Sequence, residues 1–426
     1  MQIIIGIVFI VGYAIIAMEH PLHVNKSAVA VLLAVLCWLL YMISNATDPE
    51  SVLHQLSTHL SSIAEILFFL MGAMTIVELI DSHKGFRIVA NLIRTNSRIK
   101  LLWIISIITF FLSAVLNNMT TAIVMVSILK RLIDDKQDRK IMAGMVIIAA
   151  NAGGAWSPIG DVTTTMLWIG GQVTPLNLMK ELFLPSVVSL LIPLLYQSFF
   201  MKTRTNVEDR KFLTPKRSEL PPPEIHSSLI LFLGIALLIL IPLFKMLTGL
   251  PPYMGMLLGL GILWVITEFL HSPFEERKHL RVSHVLSRID LTSLMFFLGI
   301  LLAVAALESL GILQSVSVWL DHAIANKEII VTSLGLLSSV IDNVPLVAAT
   351  MGMYPLTQFP VDHKTWEMIA YCAGTGGSIL ILGSAAGVVV MGMEKIEFFW
   401  YLKRVSITAL LGYFAGVLMY LLMLAL

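Results

Sequence analysis

Ser113-Ala-Val-Leu-Asn-Asn118 and Ser338-Ser-Val-Ile-Asp-Asn343 are two versions of one phrase, 225 residues apart, and they decide how the chain is built. Two further pairs keep nearly the same spacing. Leu67-Phe-Phe-Leu70 returns as Met295-Phe-Phe-Leu298 at an offset of 228, and Ala152-Gly153-Gly154 through Gly160 returns as Thr375-Gly376-Gly377 through Gly383 at 223. Self-similarity at a steady offset over three separated motifs marks an internal duplication. The two copies are read as residues 1–203 and 227–426. Between them, 204–226 mixes charges with Pro221-Pro222-Pro223 and has no apolar periodicity, as a cytoplasmic linker would.

Composition says what solvent surrounds the copies. The 426 residues are 57% hydrophobic and 13% charged, with a mean hydropathy of +0.88, whereas soluble domains carry about 25% charge. Apolar stretches of about 17 to 25 residues, the length that crosses a bilayer as a helix, recur from end to end. The net charge of +1 offers no field for nucleic acid. Cys37 and Cys372 both lie in apolar segments, where packing is their expected role. The first run, Ile3 to Met18, lacks a basic leader and is followed by Glu19-His20-Pro21, so it reads as a retained span.

Ten segments are long enough to cross: 2–18, 27–45, 62–80, 141–170, 182–201, 227–247, 252–270, 291–310, 366–393 and 398–425. Residues 101–129 and 329–356 are apolar too, but each carries a polar, helix-interrupting centre. These centres, Asn117-Asn118-Met119-Thr120-Thr121 and Asp342-Asn343-Val344-Pro345, suit re-entrant hairpins. With the N-terminus periplasmic, the basic loops 84–100, 130–140, 202–217 and 277–288 fall on the cytoplasmic side, together with Lys26, Lys395, Lys403 and Arg404. Only Lys180, Lys245, Lys327 and Lys364 are left outside. Five spans and one hairpin per copy force the second copy to enter the membrane in the reverse sense. The fold class is therefore an all-α polytopic membrane protein of two inverted-topology repeats, with broken helices at the midplane and both termini periplasmic. Such repeats point to alternating access around a central site.

The chemistry sits in the breaks. About 30 residues after each hairpin centre comes a glycine-rich interruption, with Gly153, Gly154, Pro158 and Gly160 in one copy and Gly376, Gly377 and Gly383 in the other; Pro345 interrupts the second hairpin. A helix broken in the bilayer frees carbonyls and amides whose dipole ends can hold a dehydrated ion. Asn117, Asn118, Thr120, Thr121, Asn151, Ser157, Asn343, Thr375 and Ser378 would complete an oxygen-rich cage of the kind hard cations prefer. Small and polar residues also let helices approach closely, but four breaks at symmetry-related positions cost more helix than packing requires. Ionisable residues inside spans default to function, and Asp161 and Asp342 lie in the breaks with no Lys or Arg near them in sequence. Pseudosymmetry sets Asn117 against Asp342 and Ser384 against Asp161. Each pair thus supplies one acid able to hold a cation and a proton in turn, which is the chemistry of antiport.

The lines SAVLNNMTTAIVM, NAGGAWSPIGDVTTTMLWIGG, DNVPLVAATMGMYP and GTGGSILILGSAAGVVVMGME resemble the signatures of the ion-transporter superfamily, and most closely those of the NhaD-type sodium/proton antiporters, over essentially the whole chain. The resemblance implies export of Na⁺, with Li⁺ as a second candidate, in exchange for entering H⁺ across the bacterial inner membrane. It also implies a homodimer, an elevator-type movement of one subdomain against another, and no cofactor. The superfamily's sodium-coupled carboxylate members carry Ser-Asn-Thr at both hairpin tips. Here the tips read Asn-Asn-Met-Thr and Asp-Asn-Val-Pro, which weakens dicarboxylate symport. A carrier of dicarboxylate or arsenite anions would need positive potential where Asp161 and Asp342 stand, and a channel would need a continuous polar pore. No metal cluster, nucleophile elbow or phosphate loop speaks for an enzyme.

Overall fold

The computed structural model describes residues 2–93, 95, 97–204, 226–324 and 326–425, and among these the regular elements are all helical. The first half runs α1 (Gln2–Ala17), α2 (Glu19–Leu22), α3 (Lys26–Ser44), α4 (Pro49–Ser82), α5 (Arg87–Leu92), α6 (Arg98–Leu116), α7 (Asn118–Leu132), α8 (Lys136–Ala155), α9 (Val162–Ile169) and α10 (Pro175–Arg204). The second runs α11 (Ser227–Thr248), α12 (Pro252–His271), α13 (Val282–Val285), α14 (Leu291–Ser309), α15 (Ile312–Ala323), α16 (Lys327–Leu337), α17 (Asn343–Met353), α18 (Lys364–Gly376), α19 (Ala385–Glu394), α20 (Phe398–Tyr401) and α21 (Ile407–Ala425), with a π turn at Leu402–Ser406 joining the last two. Without the short α2 and α13, the two orders correspond element for element. Most of the linker expected at 204–226 lies outside the described residues.

The breaks fall where the polar centres stand. Residues 101–129 form the helix pair α6 and α7, and 329–356 form α16 and α17. The apolar runs 141–170 and 366–393 each divide, into α8 and α9 and into α18 and α19. Inside a bilayer no water satisfies the first amides of a new helix, so a side chain must. Asn117 accepts from the Thr120 amide to cap α7, Asp161 caps α9, Asp342 caps α17 and Ser384 caps α19. Four helices that begin within the bundle thus begin on the four residues that pseudosymmetry pairs.

Among the described residues, eight helices are long and apolar enough to cross a membrane. Ten segments met that test in sequence; α1 has only 16 residues and two crossings are made in halves, which leaves seven, and the eighth is α6, an arm of the first hairpin. The span at 62–80 is longer than expected. Asp48 caps the helix and Pro49 opens it, no glycine or proline follows before residue 72, and α4 runs 34 residues, about 51 Å at 1.5 Å per residue. Cys37 and Cys372 are buried and unpaired, as packing residues.

The helices gather into two groups. In the first, α3 lies parallel to α14, with Ser27 Oγ donating to the Thr292 carbonyl at 2.8 Å and Trp38 Nε1 to that of Leu302 at 2.8 Å. Its pseudosymmetric mate is α12 against α4, and α1 and α11 pack outside on α3 and α12. In the second group α6, α7 and α8 pack together, α16 lies on α18, α19 on α7, and α10 on α21. The groups meet chiefly where α14 touches α17, α4 touches α9, and α11 touches α6. A β-carbon on Gly299 would stand 2.5 Å from the Ala30 carbonyl carbon, so α3 and α14 approach backbone to backbone, whereas Gly6 faces open space. Gly299→Val is therefore expected to destabilise by about 1–3 kcal/mol through overpacking and Gly6→Val to leave stability unchanged, as read from melting of the detergent-solubilised protein.

Candidate ion site

The breaks are narrow because glycines let them close. In the first copy Gly154 packs on the Gly160 carbonyl, and in the second Gly377 packs on that of Gly383, 2.8 Å from where a β-carbon would sit. Gly153 abuts the Phe110 carbonyl and Gly376 that of Gly335. Ser113 Oγ donates to the Ala150 carbonyl at 2.6 Å, and its counterpart Ser338 to Ala373 at 2.8 Å. Each hairpin is thereby pinned to the broken helix of its own copy, which sets the caps of α7, α9, α17 and α19 in one region.

Asp161 is its centre. The carboxylate is 2% exposed, and Oδ2 accepts from Asn118 Nδ2 at 3.1 Å and from Asn343 Nδ2 at 3.2 Å, one amide from each hairpin. Asn118 spends its second N–H on Asn151 Oδ1 at 3.1 Å, and Asn151 Nδ2 donates to Ser384 Oγ at 3.0 Å. Asp161, Asn118, Asn151, Asn343 and Ser384 are all buried, and this network, drawn from both halves, contains no Lys or Arg. An isolated carboxylate costs several kcal/mol to bury, more than neutral donors return, so the arrangement calls for a proton or a cation. The hydroxyls of Thr121, in the first turn of α7, and of Thr163, two residues beyond Asp161, are buried without a hydrogen-bond partner among the described residues. Both are oxygen donors left free in helices that start at the site.

The remaining expected residues divide. Asp342 caps α17 through the Val344 amide at 3.2 Å, and its Oδ2 lies 3.8 Å from Lys26 Nζ. The absence of a nearby cation in sequence did not carry into three dimensions, because α3 brings Lys26 from 316 positions away. Asn117 caps α7, and Thr120 supplies the amide that it holds. Ser157 donates to the Ala114 carbonyl at 2.5 Å, Thr375 to that of Tyr371 at 2.6 Å and Ser378 to that of Thr375 at 2.7 Å, so these three hydroxyls tie backbone within or between helices and stand outside the Asp161 network. Pro158 and Pro345 suit their places: the Pro158 carbonyl accepts from Thr165 Oγ1 at 2.9 Å, and Pro345 lies in the first turn of α17, where its missing N–H is harmless. Ser384 and Thr163 were not on the list of candidate ligands. Pseudosymmetry with Asp161 pointed to the first, and nothing in the sequence pointed to the second.

Asn117 also carries strain, at φ 70° and ψ 159°, a region left almost wholly to glycine and costing about 1–3 kcal/mol. Its value as a cap opposes its cost as a backbone. Asn117→Gly gives up the cap but relieves the strain and is expected to melt no lower than wild type, while Asn117→Ala keeps the strain, loses the cap and is expected to lose about 1 kcal/mol; melting in detergent reads both.

Comparison with known proteins follows this geometry. Residues 13–367 match the model of the citrate transporter family. Over 99% of its length the chain is 49% identical to sodium/proton antiporter 1 of Arabidopsis thaliana, covering 72% of that relative. It is 32% identical to the Na⁺/H⁺ antiporter NhaD of Alkalimonas amylolytica, over 97% of the chain and 89% of the relative. The YdaH transporter of Alcanivorax borkumensis shares the fold at a TM-score of 0.55 and 13% identity, over 93% of this chain and 98% of that one.

Proposed function

We propose that this chain, which belongs to the citrate transporter family and stands with its NhaD-type sodium/proton antiporters, exchanges Na⁺ for H⁺ across a membrane by alternating access. One observation carries the reading: a buried acid, Asp161, held by amides from both hairpins without a basic partner among the described residues. A carboxylate in that setting takes either a proton or a small cation, and taking one excludes the other, which couples the two fluxes. Asn151, Ser384, Thr121 and Thr163 supply neutral oxygens near it, and the Asn118 and Asn343 amides, whose N–H groups now face the carboxylate, offer theirs on turning over. A hard cation such as Na⁺ or Li⁺ thus exchanges its hydration shell for carboxylate, amide and hydroxyl oxygens. Asp342 joins the site as a second acid. An anionic substrate is disfavoured on the same ground, since the network that joins the two copies holds a carboxylate and no cationic group.

Movement follows the division of helices. The second group carries both hairpins and both broken helices and meets the first over a limited set of contacts, which supports an elevator-type shift of one group past the other. The repeat boundaries, 1–203 and 227–426 about the linker at 204–226, belong to this proposal, as do a homodimer formed through the first group and a bacterial inner membrane with both termini periplasmic. The orientation rests on the distribution of Lys and Arg in the loops, and the dimer on the family resemblance.

Everted vesicles with an inside-acid gradient, followed by a pH-sensitive dye, test the exchange. Addition of Na⁺ is expected to collapse the gradient in wild type, and Asp161→Asn and Asp342→Asn are expected to abolish the response at wild-type levels of inserted protein. A gradient that no cation collapses would exclude exchange and make uptake of dicarboxylates the next measurement.

A further inference from the structure

Lys26 is an odd residue to open a helix. It is the first residue of α3, after the Asn25 cap, where the helix dipole favours an acid and disfavours a cation, and no acid shares that turn. Its ammonium is held from elsewhere. Nζ lies 3.8 Å from Asp342 Oδ2 and 4.6 Å from the centroid of the Phe296 ring on α14, and the two charged side chains are 26% and 19% exposed. Tyr13 of α1 also stands close to Asp342.

The pair crosses the boundary between the two groups of helices. Lys26, Phe296 and Tyr13 belong to α3, α14 and α1, while Asp342 caps α17, the arm of the second hairpin that α14 touches. Asp342 is also next in sequence to Asn343, whose amide reaches Asp161. A positive charge fixed to one group therefore sits on an acid carried by the other, beside the site proposed for the transported ion. One carboxylate oxygen does not serve an ammonium and a dehydrated Na⁺ at full strength together, because the two cations repel at that range.

We propose that Lys26 is a tethered competitor for the transported cation: its ammonium neutralises Asp342 and ties the two helix groups together when no Na⁺ is bound, and Na⁺ displaces it. The inference rests on the exchange reading above and adds to it a residue that sets cation affinity without joining the cation's coordination. Displacement makes release of the tie depend on loading, so a carrier without its ion stays anchored while a loaded one is free to move. Arginine in place of Lys26 keeps the charge and the tie, whereas glutamine removes both.

Half-saturating Na⁺ in the vesicle assay measures the competition. The pair is partly exposed, so its removal in Lys26→Gln is expected to lower half-saturating Na⁺ by about two- to fivefold, and Lys26→Arg is expected to keep it near the wild-type value. A merely structural tie would lower inserted protein or maximal rate and leave half-saturation where it was. Should Lys26→Gln transport too slowly to titrate, the Na⁺ dependence of melting of the purified protein gives the same half-saturation. An unchanged or higher value in Lys26→Gln, beside a wild type that still exchanges Na⁺, overturns the role of Lys26 and leaves the exchange reading intact. A wild type that responds to no cation overturns both.

Discussion

A carboxylate buried among neutral donors is the constraint on which the rest of this structure turns. Asp161 lies out of water, accepts one amide from each hairpin, and meets no basic side chain in its hydrogen-bond network. To hold it there the chain interrupts four helices within an apolar bundle, and each interruption exposes amides that hydrocarbon cannot satisfy. Caps at Asn117, Asp161, Asp342 and Ser384 satisfy them, and glycine contacts at Gly154 with Gly160 and Gly377 with Gly383 bring the broken ends close enough for the network to form. The cost of the breaks and the geometry of the site are the same feature seen from two sides.

Duplication supplies the frame, and departures from it supply the chemistry. Asn118 and Asn343 are the same residue in both copies, and both donate to Asp161. At the flanking positions the copies differ: Asn117 stands for Asp342, and Ser384 for Asp161. The result is two acids in unlike surroundings. One is sunk in a neutral network that joins the halves; the other sits at the margin between the two groups of helices, facing Lys26. A symmetric protein with acids in all four places would crowd four negative charges into one apolar region, and one with none would give a cation only dipoles.

Much of this was legible in the sequence, because duplication and helix breaking leave local marks. The repeat offset, the polar hairpin centres and the glycine-rich interruptions are each short motifs, and the helices end within a few residues of them. The two acids and four asparagines named as candidate ligands cap helices or join the network. Hydroxyls were harder. Thr375 and Ser378 turn back onto carbonyls within their own segment, and Ser157 reaches across to the Ala114 carbonyl of α6, whereas Thr163, which sequence reading passed over, keeps its hydroxyl unpartnered among the described residues. Pairings between distant elements left no local mark at all. The approach of Lys26 to Asp342 depends on how α3 lies along α14, a matter of Gly299 against Ala30 and of Trp38 reaching Leu302, and no spacing in the chain encodes it.

Whether protons and Na⁺ share one site is the claim on which the account stands. Calorimetry of Na⁺ binding to the purified protein, repeated at one pH in buffers of different ionisation enthalpy, measures it without any gradient. The account requires that Na⁺ binding release protons, so that the observed heat varies with the buffer, and that this dependence vanish in Asp161→Asn. Binding of Na⁺ with the same heat in every buffer would contradict it, since the cation would then be held without displacing a proton.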